Sequence, residues 1–476
     1  MADVTEIPRP LESYPSAADQ SLAAELAGRV RVEPFNALAT GVFLLAIVHT
    51  FAAARFTALA HHVQQRHDER ARAEGRAAVP SITAELLHFL GEVEVAFGLW
   101  AIVLLVLATL YEGWEPAKHY FNDTVNYTEP LFVVVIMALA STRPVIGFAE
   151  AALRRIAAVG GATPAAWWVT ILTLGPVLGS FITEPAAMTI CALLLARQVF
   201  DLEPSTRLKY ATIGVLFVNV SIGGTLTQFA APPVLMVARP WGWDLRFMTV
   251  AFGWRAVTAI VISTLVYYML FRTEFRVLAT RAPVADLEEP DESAIGPALA
   301  PVPAWLVVVH LAFMAWTVFI AHYPALFLGA FLLFLAGARA TAAYQTRIEL
   351  RTPLLVGFFL AGLVIHGGLQ GWWIAPTLRR LGETPLFLGA AVLTAVNDNA
   401  LITYLATLVP NFAEPHKLAV VQGALVGGGL TVIANAPNPA GQALLGRFFG
   451  GAILPLRLLA AAFLPTVIAA LVFRLL

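Results

Sequence analysis

The sequence predicts an all-α polytopic membrane protein, and two observations support this fold class. First, the chain has 476 residues, of which 59% are hydrophobic and only 13% are charged. An average soluble domain carries about 25% charged residues, so a soluble fold could not cover its surface with this composition. Second, about ten apolar segments are long enough to cross a bilayer, which takes about 20 helical residues.

Charge and motif content exclude several classes of function. The formal net charge of -1 gives no basic surface for nucleic acid, so we expect no nucleic-acid partner. A single cysteine, Cys191, excludes an internal disulfide and a multi-cysteine metal site. The sequence has no Walker A, His-Glu-x-x-His or Gly-x-Ser-x-Gly motif, so we expect neither an enzyme nor a bound cofactor.

The chain divides into four parts in order. Residues 1–33 are a polar segment without the apolar core of a signal peptide. A first repeat is predicted over 34–271, a charged, proline-rich cytoplasmic linker over 272–302, and a second repeat over 303–476. The predicted spans lie at 34–57, 82–111, 129–147, 205–228, 247–271, 303–321, 323–338, 353–370, 415–434 and 453–475.

Two further apolar stretches, near 164–200 and 385–409, are interrupted at their centres. The first contains Thr183, Glu184 and Pro185, and the second contains Asn397, Asp398 and Asn399. Because polar, irregular backbone at membrane depth must be enclosed by protein or water, each stretch is predicted to be a re-entrant hairpin.

Motifs in the two halves match in order. The spacing from Ser180 to Glu184 matches that from Thr394 to Asp398, and each run has a hydroxyl four residues before a carboxylate. Gly-Gly-Thr-Leu-Thr at 223–227 likewise matches Gly-Gly-Gly-Leu-Thr at 427–431, and prolines follow both runs. The distribution of Lys and Arg among the loops gives the halves opposite orientations. Inverted repeats with midplane sites are typical of secondary transporters.

Glu184 and Asp398 are the leading candidates for chemistry. A charged carboxylate at the bilayer centre costs roughly 2.5–3.5 kcal/mol on insertion scales, so it is retained only where it is used. Competition between a proton and a cation for one carboxylate is the simplest form of antiport. A carboxylate that merely caps the helix at the hairpin tip is the structural alternative.

The glycine-rich runs are predicted to be breaks in spanning helices, which free backbone and side-chain oxygens for a cation. Close helix packing by small residues is the alternative reading of these glycines. The candidate cation- or proton-binding residues, with Na⁺ at the Glu184/Asp398 site, are Glu184, Asp398, Asn399, Asn397, Thr183, Ser180, Thr394, Thr225, Thr227, Thr431 and Asn435. Glu92 and Glu94 could form a proton relay or an ion pair with Arg255.

At the hairpin tips and glycine-rich breaks the chain resembles the ion transporter superfamily of arsenite permeases, dicarboxylate/sodium symporters and sodium/proton antiporters. It is most similar to the Na⁺/H⁺ antiporter family, whose hairpins carry hydroxyl-x-x-x-Asp-Asn. Thr394, Asp398 and Asn399 keep that pattern, whereas Glu184 is followed by Pro185 in place of the amide. The resemblance implies an elevator-like motion of a hairpin domain and a homodimer.

We therefore expect an inner-membrane protein of bacterial type that exchanges Na⁺ (or Li⁺) for H⁺ across the lipid bilayer. One alternative keeps the fold and changes the cargo to an anion, such as arsenite or an organic anion. A second alternative is a membrane protein that transports nothing, which would have no need of symmetric hairpins.

Overall fold

A computed structural model describes residues 6–15, 20–77, 79–281, 300–450 and 453–476. Within these ranges the regular structure is helical and contains no strand. The α-helices of the first half are α1 (Leu22–Val32), α2 (Phe35–Ala73), α3 (Ile82–Leu90), α4 (Val93–Glu112), α5 (Trp114–His119), α6 (Thr128–Ala140), α7 (Arg143–Val159), α8 (Pro164–Ile182), α9 (Glu184–Gln198), α10 (Thr206–Gly223), α11 (Pro232–Trp241), α12 (Leu245–Met248) and α13 (Trp254–Arg281). Those of the second half are α14 (Ala304–Phe319), α15 (Pro324–Ala340), α16 (Arg351–Gly368), α17 (Gly371–Leu378), α18 (Glu383–Ala395), α19 (Asn399–Thr407), α20 (Glu414–Gly427), α21 (Asn438–Leu445) and α22 (Pro455–Leu475).

Several of these helices can cross a membrane. Eight of the described helices are long and apolar enough, or nine if the bent pair at 114–124 and 128–140 is one span. Three shorter apolar helices, α14, α15 and α18, add to this set. The all-α polytopic membrane fold predicted from composition is confirmed.

Two predicted spans are each divided into two helices. The span at 82–111 breaks at Gly91 and Glu92, between α3 and α4. Gly91 lies so close to α2 that a Cβ atom there would be 2.4 Å from Thr57 Oγ1. The span at 129–147 breaks before α7, where Thr142 is extended and Pro144 occupies the first turn. Proline favours the first turn of a new helix over the interior of a continuing one.

The linker is partly helical. Helix α13 continues to Arg281, so the first ten residues of the predicted linker 272–302 extend a spanning helix. Residues 282–299, which carry most of its acidic residues and prolines, lie outside the described residues. Its boundary with the second repeat stays a prediction.

The chain forms two compact units, and each takes segments from both halves of the sequence. Unit one comprises Met1–Leu131, Leu354–Arg380 and Leu408–Pro410. In it, Arg29 Nη1 of α1 donates to the carbonyl of Trp372 at 2.7 Å, and Asn36 Nδ2 donates to the Tyr14 hydroxyl at 2.7 Å. The polar N-terminal segment is thus partly folded onto its own unit.

Unit two comprises Phe132–Pro353, Leu381–Thr407 and Asn411–Leu476. Its centre is α10, which is buried along almost its whole length and packs against α8, α13 and α22. Inside this core Asn219 Nδ2 donates to the carbonyl of Leu172 at 2.8 Å. Both glycine-rich breaks belong to unit two, and so do both predicted hairpins except for residues 408 and 409.

Candidate functional site

The first hairpin consists of α8 and α9, which pack against each other and are separated by Thr183. Thr183 has φ 74° and ψ 150°, an outlier conformation for a β-branched residue. Such strain persists only where the surrounding structure enforces it, and it is found often at functional sites. Glu184 is the first residue of α9, and its side chain is fully buried.

The second hairpin consists of α18 and α19. Asn397 Oδ1 accepts from the backbone N–H of Asp398 at 2.9 Å, and Asp398 Oδ1 accepts from that of Ala400 at 2.8 Å. Asp398 therefore caps the N-terminus of α19, which is the structural role considered for it above. Asn399 and Thr394 are fully buried beside it.

Helices α10–α11 and α20–α21 are each interrupted at the glycine-rich runs. Thr227 Oγ1 donates to the carbonyl of Ser180 at 2.7 Å, and Thr431 Oγ1 donates to that of Ala395 at 2.7 Å. Ser180 Oγ in turn donates to the carbonyl of Gly223 at 2.7 Å and accepts from Leu226 N–H. Each break is thus fixed to the first helix of a hairpin. Thr225 Oγ1 is used locally, as a donor to the carbonyl of Ile222.

Each hairpin tip is joined to a break by one backbone hydrogen bond, and the two bonds are equivalent in the two halves. The N–H of Glu184 donates to the carbonyl of Ala230 at 3.3 Å, and the N–H of Asn399 donates to that of Ala434 at 3.1 Å. A Cβ on Gly224 would be 2.8 Å from Glu184 Oε1. One on Gly428 would be 2.9 Å from Asn399 Nδ2.

By these contacts Glu184 of the first hairpin and Asn399 of the second hairpin occupy equivalent positions. The hydroxyl spacing instead predicts that Glu184 is equivalent to Asp398, one position earlier. The hydroxyl spacing misleads because the second hairpin has one additional residue between its hydroxyl, Thr394, and the start of its second helix. The carbonyl that Thr431 contacts belongs to Ala395, whereas Thr227 contacts that of Ser180. By these contacts Asp398 corresponds to Thr183.

Groups from the two halves of the sequence meet directly at Glu184. Asn435 Nδ2 donates to Glu184 Oε2 at 3.1 Å, although 251 positions separate the two residues. Asp398 also interacts electrostatically with Glu184. Helix packing also joins the two halves of the sequence, since α11 of the first half contacts α19 of the second, and α21 of the second half contacts α9 of the first. Segment 434–435 therefore links both hairpin tips.

Several buried polar atoms around these tips have no hydrogen-bond partner within the described part of the chain. The oxygens are Thr183 Oγ1, Glu184 Oε1, Gln228 Oε1, Thr394 Oγ1, Asn399 Oδ1, Asn435 Oδ1 and Asn438 Oδ1. Buried polar atoms normally have partners, so a concentration of exceptions needs an explanation. Carboxylate, amide and hydroxyl oxygens are the ligands that hard cations prefer.

The described residues contain no group of three or more His, Cys, Asp and Glu side chains that could hold a metal ion. The carboxylate, amide and hydroxyl oxygens at the tips are the kind of ligands that hard cations prefer. The same carboxylates can hold a proton.

Glu92 and Glu94 lie at the start of α4, where Glu92 is the N-cap residue and Glu94 is in the first turn. Both are half-buried and belong to unit one, whereas the hairpin residues belong to unit two. Arg255 Nη1 donates to the carbonyl of Ala251 at 2.6 Å. The proton relay and the ion pair with Arg255 both stay predictions.

Comparison with known proteins adds one finding. A family model described as "Putative Na+/H+ antiporter" matches residues 34–476, which include both units' spanning helices and every candidate residue above. A comparison with curated proteins gives no match.

Proposed function

The chain belongs to this Na⁺/H⁺ antiporter family, an assignment that makes it an integral membrane transporter, and we propose that it exchanges Na⁺ or Li⁺ for H⁺ at Glu184 and the oxygens around it. The observation that carries the proposal is the Glu184 side chain. It is fully buried, one oxygen accepts from Asn435, and the other has no partner among the described residues.

The chemistry follows from the cost of that burial. A carboxylate without water must be neutralised, either by a proton or by a cation. Glu184 Oε1, Asn435 Oδ1 and Asn399 Oδ1 would supply a cation with oxygen ligands. Asp398 adds negative charge nearby, and Thr183 and Thr394 would complete the shell. Because one cargo displaces the other, inward and outward ion movements are coupled.

Alternating access would come from movement of the hairpins as one body. Support comes from the bonds that fix Thr227 to Ser180 and Thr431 to Ala395, which tie each break to a hairpin. We propose that the two halves are inverted repeats and that the motion is elevator-like. We also propose that the protein works as a homodimer in a bacterial inner membrane, joined through spans outside the hairpin bundle.

Reconstitution in liposomes tests the exchange. An imposed pH gradient should dissipate when Na⁺ is added to wild-type vesicles, and the apparent KM for Na⁺ should rise as pH falls because protons compete. Glu184→Gln should lose the Na⁺ response, since an amide carries no exchangeable charge. Asp398→Asn should weaken it, and Glu203→Gln, at an exposed carboxylate, is the matched control.

A wild-type protein that gives no Na⁺ or Li⁺ response would contradict the proposal. So would a Glu184→Gln variant that exchanges at the wild-type rate. Both variants should be compared at equal amounts of correctly folded protein, measured by size-exclusion chromatography of the detergent extract.

A further inference from the structure

A basic pocket lies in unit two at the N-terminal ends of α10 and α22. Its volume is about 440 Å³, within the roughly 300–1,000 Å³ of small-ligand sites. Its lining includes Thr206, Lys209, Tyr210, Phe448, Phe449 and Arg457. None of the residues that line it is acidic.

The two cations of the basic pocket have no carboxylate partner within the described residues. Lys209 Nζ donates to one carbonyl, that of Phe448 at 3.2 Å, and keeps further donors free. The guanidinium of Arg457 lies over the Tyr210 ring at 5.9 Å and its side chain is exposed. An ammonium and a planar guanidinium that line one pocket favour a phosphate-bearing anion.

The walls of the pocket are held in place by packing and hydrogen bonds. The rings of Tyr210 and Phe449 meet edge to face at 4.8 Å, and Phe200 packs on Phe448 at 5.2 Å. The Tyr210 hydroxyl accepts from the N–H of Leu454 at 3.1 Å. The pocket is therefore built by contacts that Phe200 and Tyr210 make with Phe448, Phe449 and Leu454.

We propose that the basic pocket binds a phosphate group, and that an anionic phospholipid headgroup supplies it. Helices α10 and α22 are both long and apolar enough to span a membrane, so we expect their ends to lie at the level of lipid headgroups. Arg207 and Lys209 lie in the first turn of α10, and the distribution of Lys and Arg predicts that this end of the helix faces the cytoplasm. Basic pockets between spanning helices on that side suit acidic headgroups.

Lipid binding to the purified full chain tests the proposal. Thermal stability in detergent is measured with added phosphatidylglycerol, with phosphatidylcholine and with inorganic phosphate. Phosphatidylglycerol should stabilise the wild-type protein. Its apparent Kd should be about fivefold higher in Arg457→Gln and about fivefold higher in Lys209→Gln than in wild type, because each cation near a headgroup contributes about 1 kcal/mol. Lys209→Arg should retain binding, and Arg339→Gln, an exposed arginine at the end of α15, is the matched control.

Comparison of the three additives distinguishes a lipid headgroup from free phosphate as the source of the bound phosphate group. Stabilisation by phosphatidylglycerol alone supports a lipid headgroup, whereas equal stabilisation by inorganic phosphate supports a phosphate site filled from solution. Equal affinities of wild type, Arg457→Gln and Lys209→Gln for every added anion would overturn the proposal. Ion exchange is measured separately, so this result does not depend on the activity at Glu184.

Discussion

At the scale of single residues, the glycine that contacts Glu184 offers a sharp test. Gly224→Ala would place a methyl group 2.8 Å from Glu184 Oε1 and 3.1 Å from Ala231 Cβ. Because the carboxylate must move, we expect the KM for Na⁺ to rise severalfold while the protein still folds. Gly147→Ala on α7, where nothing lies within 4 Å, should leave exchange unchanged. An unaffected KM in Gly224→Ala would argue against Glu184 as the binding group.

Asn435 provides the second test at this scale. Asn435→Ala removes the donor to Glu184 Oε2 and one oxygen near the tip, so Na⁺ should bind more weakly. Loss of a buried hydrogen-bond partner also costs about 1–3 kcal/mol of stability. The expected results are a raised KM for Na⁺ in liposomes and a lower Tm. The exposed Asn122→Ala variant should show neither change.

At the residue scale, the sequence supplies candidates, whereas their register depends on tertiary contacts. The apolar surroundings of Glu184 and Asp398 make them candidates because polar groups in such runs are costly, and Asn435 is a candidate because it follows a glycine-rich break. Their roles in ion binding stay predictions. The equivalence of Glu184 and Asn399 in the two hairpins could not be predicted. Sequence spacing does not show where the second hairpin accommodates its one additional residue. The close approach of Gly224 to Glu184 is a tertiary contact without a local pattern.

At the scale of elements, a threonine hydroxyl in each glycine-rich break donates a hydrogen bond that holds the break to the first helix of a hairpin. Thr227→Val and Thr431→Val each remove one such bond while keeping the side-chain shape. We expect each variant to lose about 1 kcal/mol of stability and to exchange ions more slowly. Thermal unfolding and initial rates of exchange are the measurements.

The control for this pair is Thr258→Val, whose hydroxyl bonds within its own helix to the carbonyl of Trp254. It should match wild type in both measurements. If Thr227→Val and Thr431→Val also behave as wild type, the bonds between breaks and hairpins do not support transport.

Element boundaries were predictable where apolar runs end at charged loops and less so where helices break inside them. At the break between α3 and α4, Gly91 lies close to Thr57 of α2, a tertiary contact without a local sequence pattern. Helix α2 runs on to Ala73, well beyond the predicted end at 57, because Ala, Gln and Arg continue a helix outside the apolar region.

At the scale of the whole molecule, the proposed elevator motion can be followed by labelling. Cys191 is the only cysteine and is fully buried, so wild type should react with a water-soluble maleimide only after unfolding. Phe181→Cys places a thiol at an exposed position beside the first hairpin tip, where Phe181 is 53% exposed. Its labelling rate should change severalfold between saturating Na⁺ and low pH.

The same thiol on a Glu184→Gln background serves as the comparison, and its labelling rate should not respond to Na⁺. Equal labelling rates of Phe181→Cys in both ionic conditions would contradict a motion that depends on the bound ion.

The bond from Asn435 to Glu184 has a consequence for how the protein can be assembled. The two partners lie on opposite sides of the segment between residues 281 and 300, so a gene divided there would give two polypeptides that each lack half of the site. Each fragment alone would leave buried polar atoms without partners, a cost that membrane proteins rarely tolerate. We therefore expect neither fragment to accumulate when expressed alone. Co-expression should rescue both by complementation, as for an obligate heterodimer.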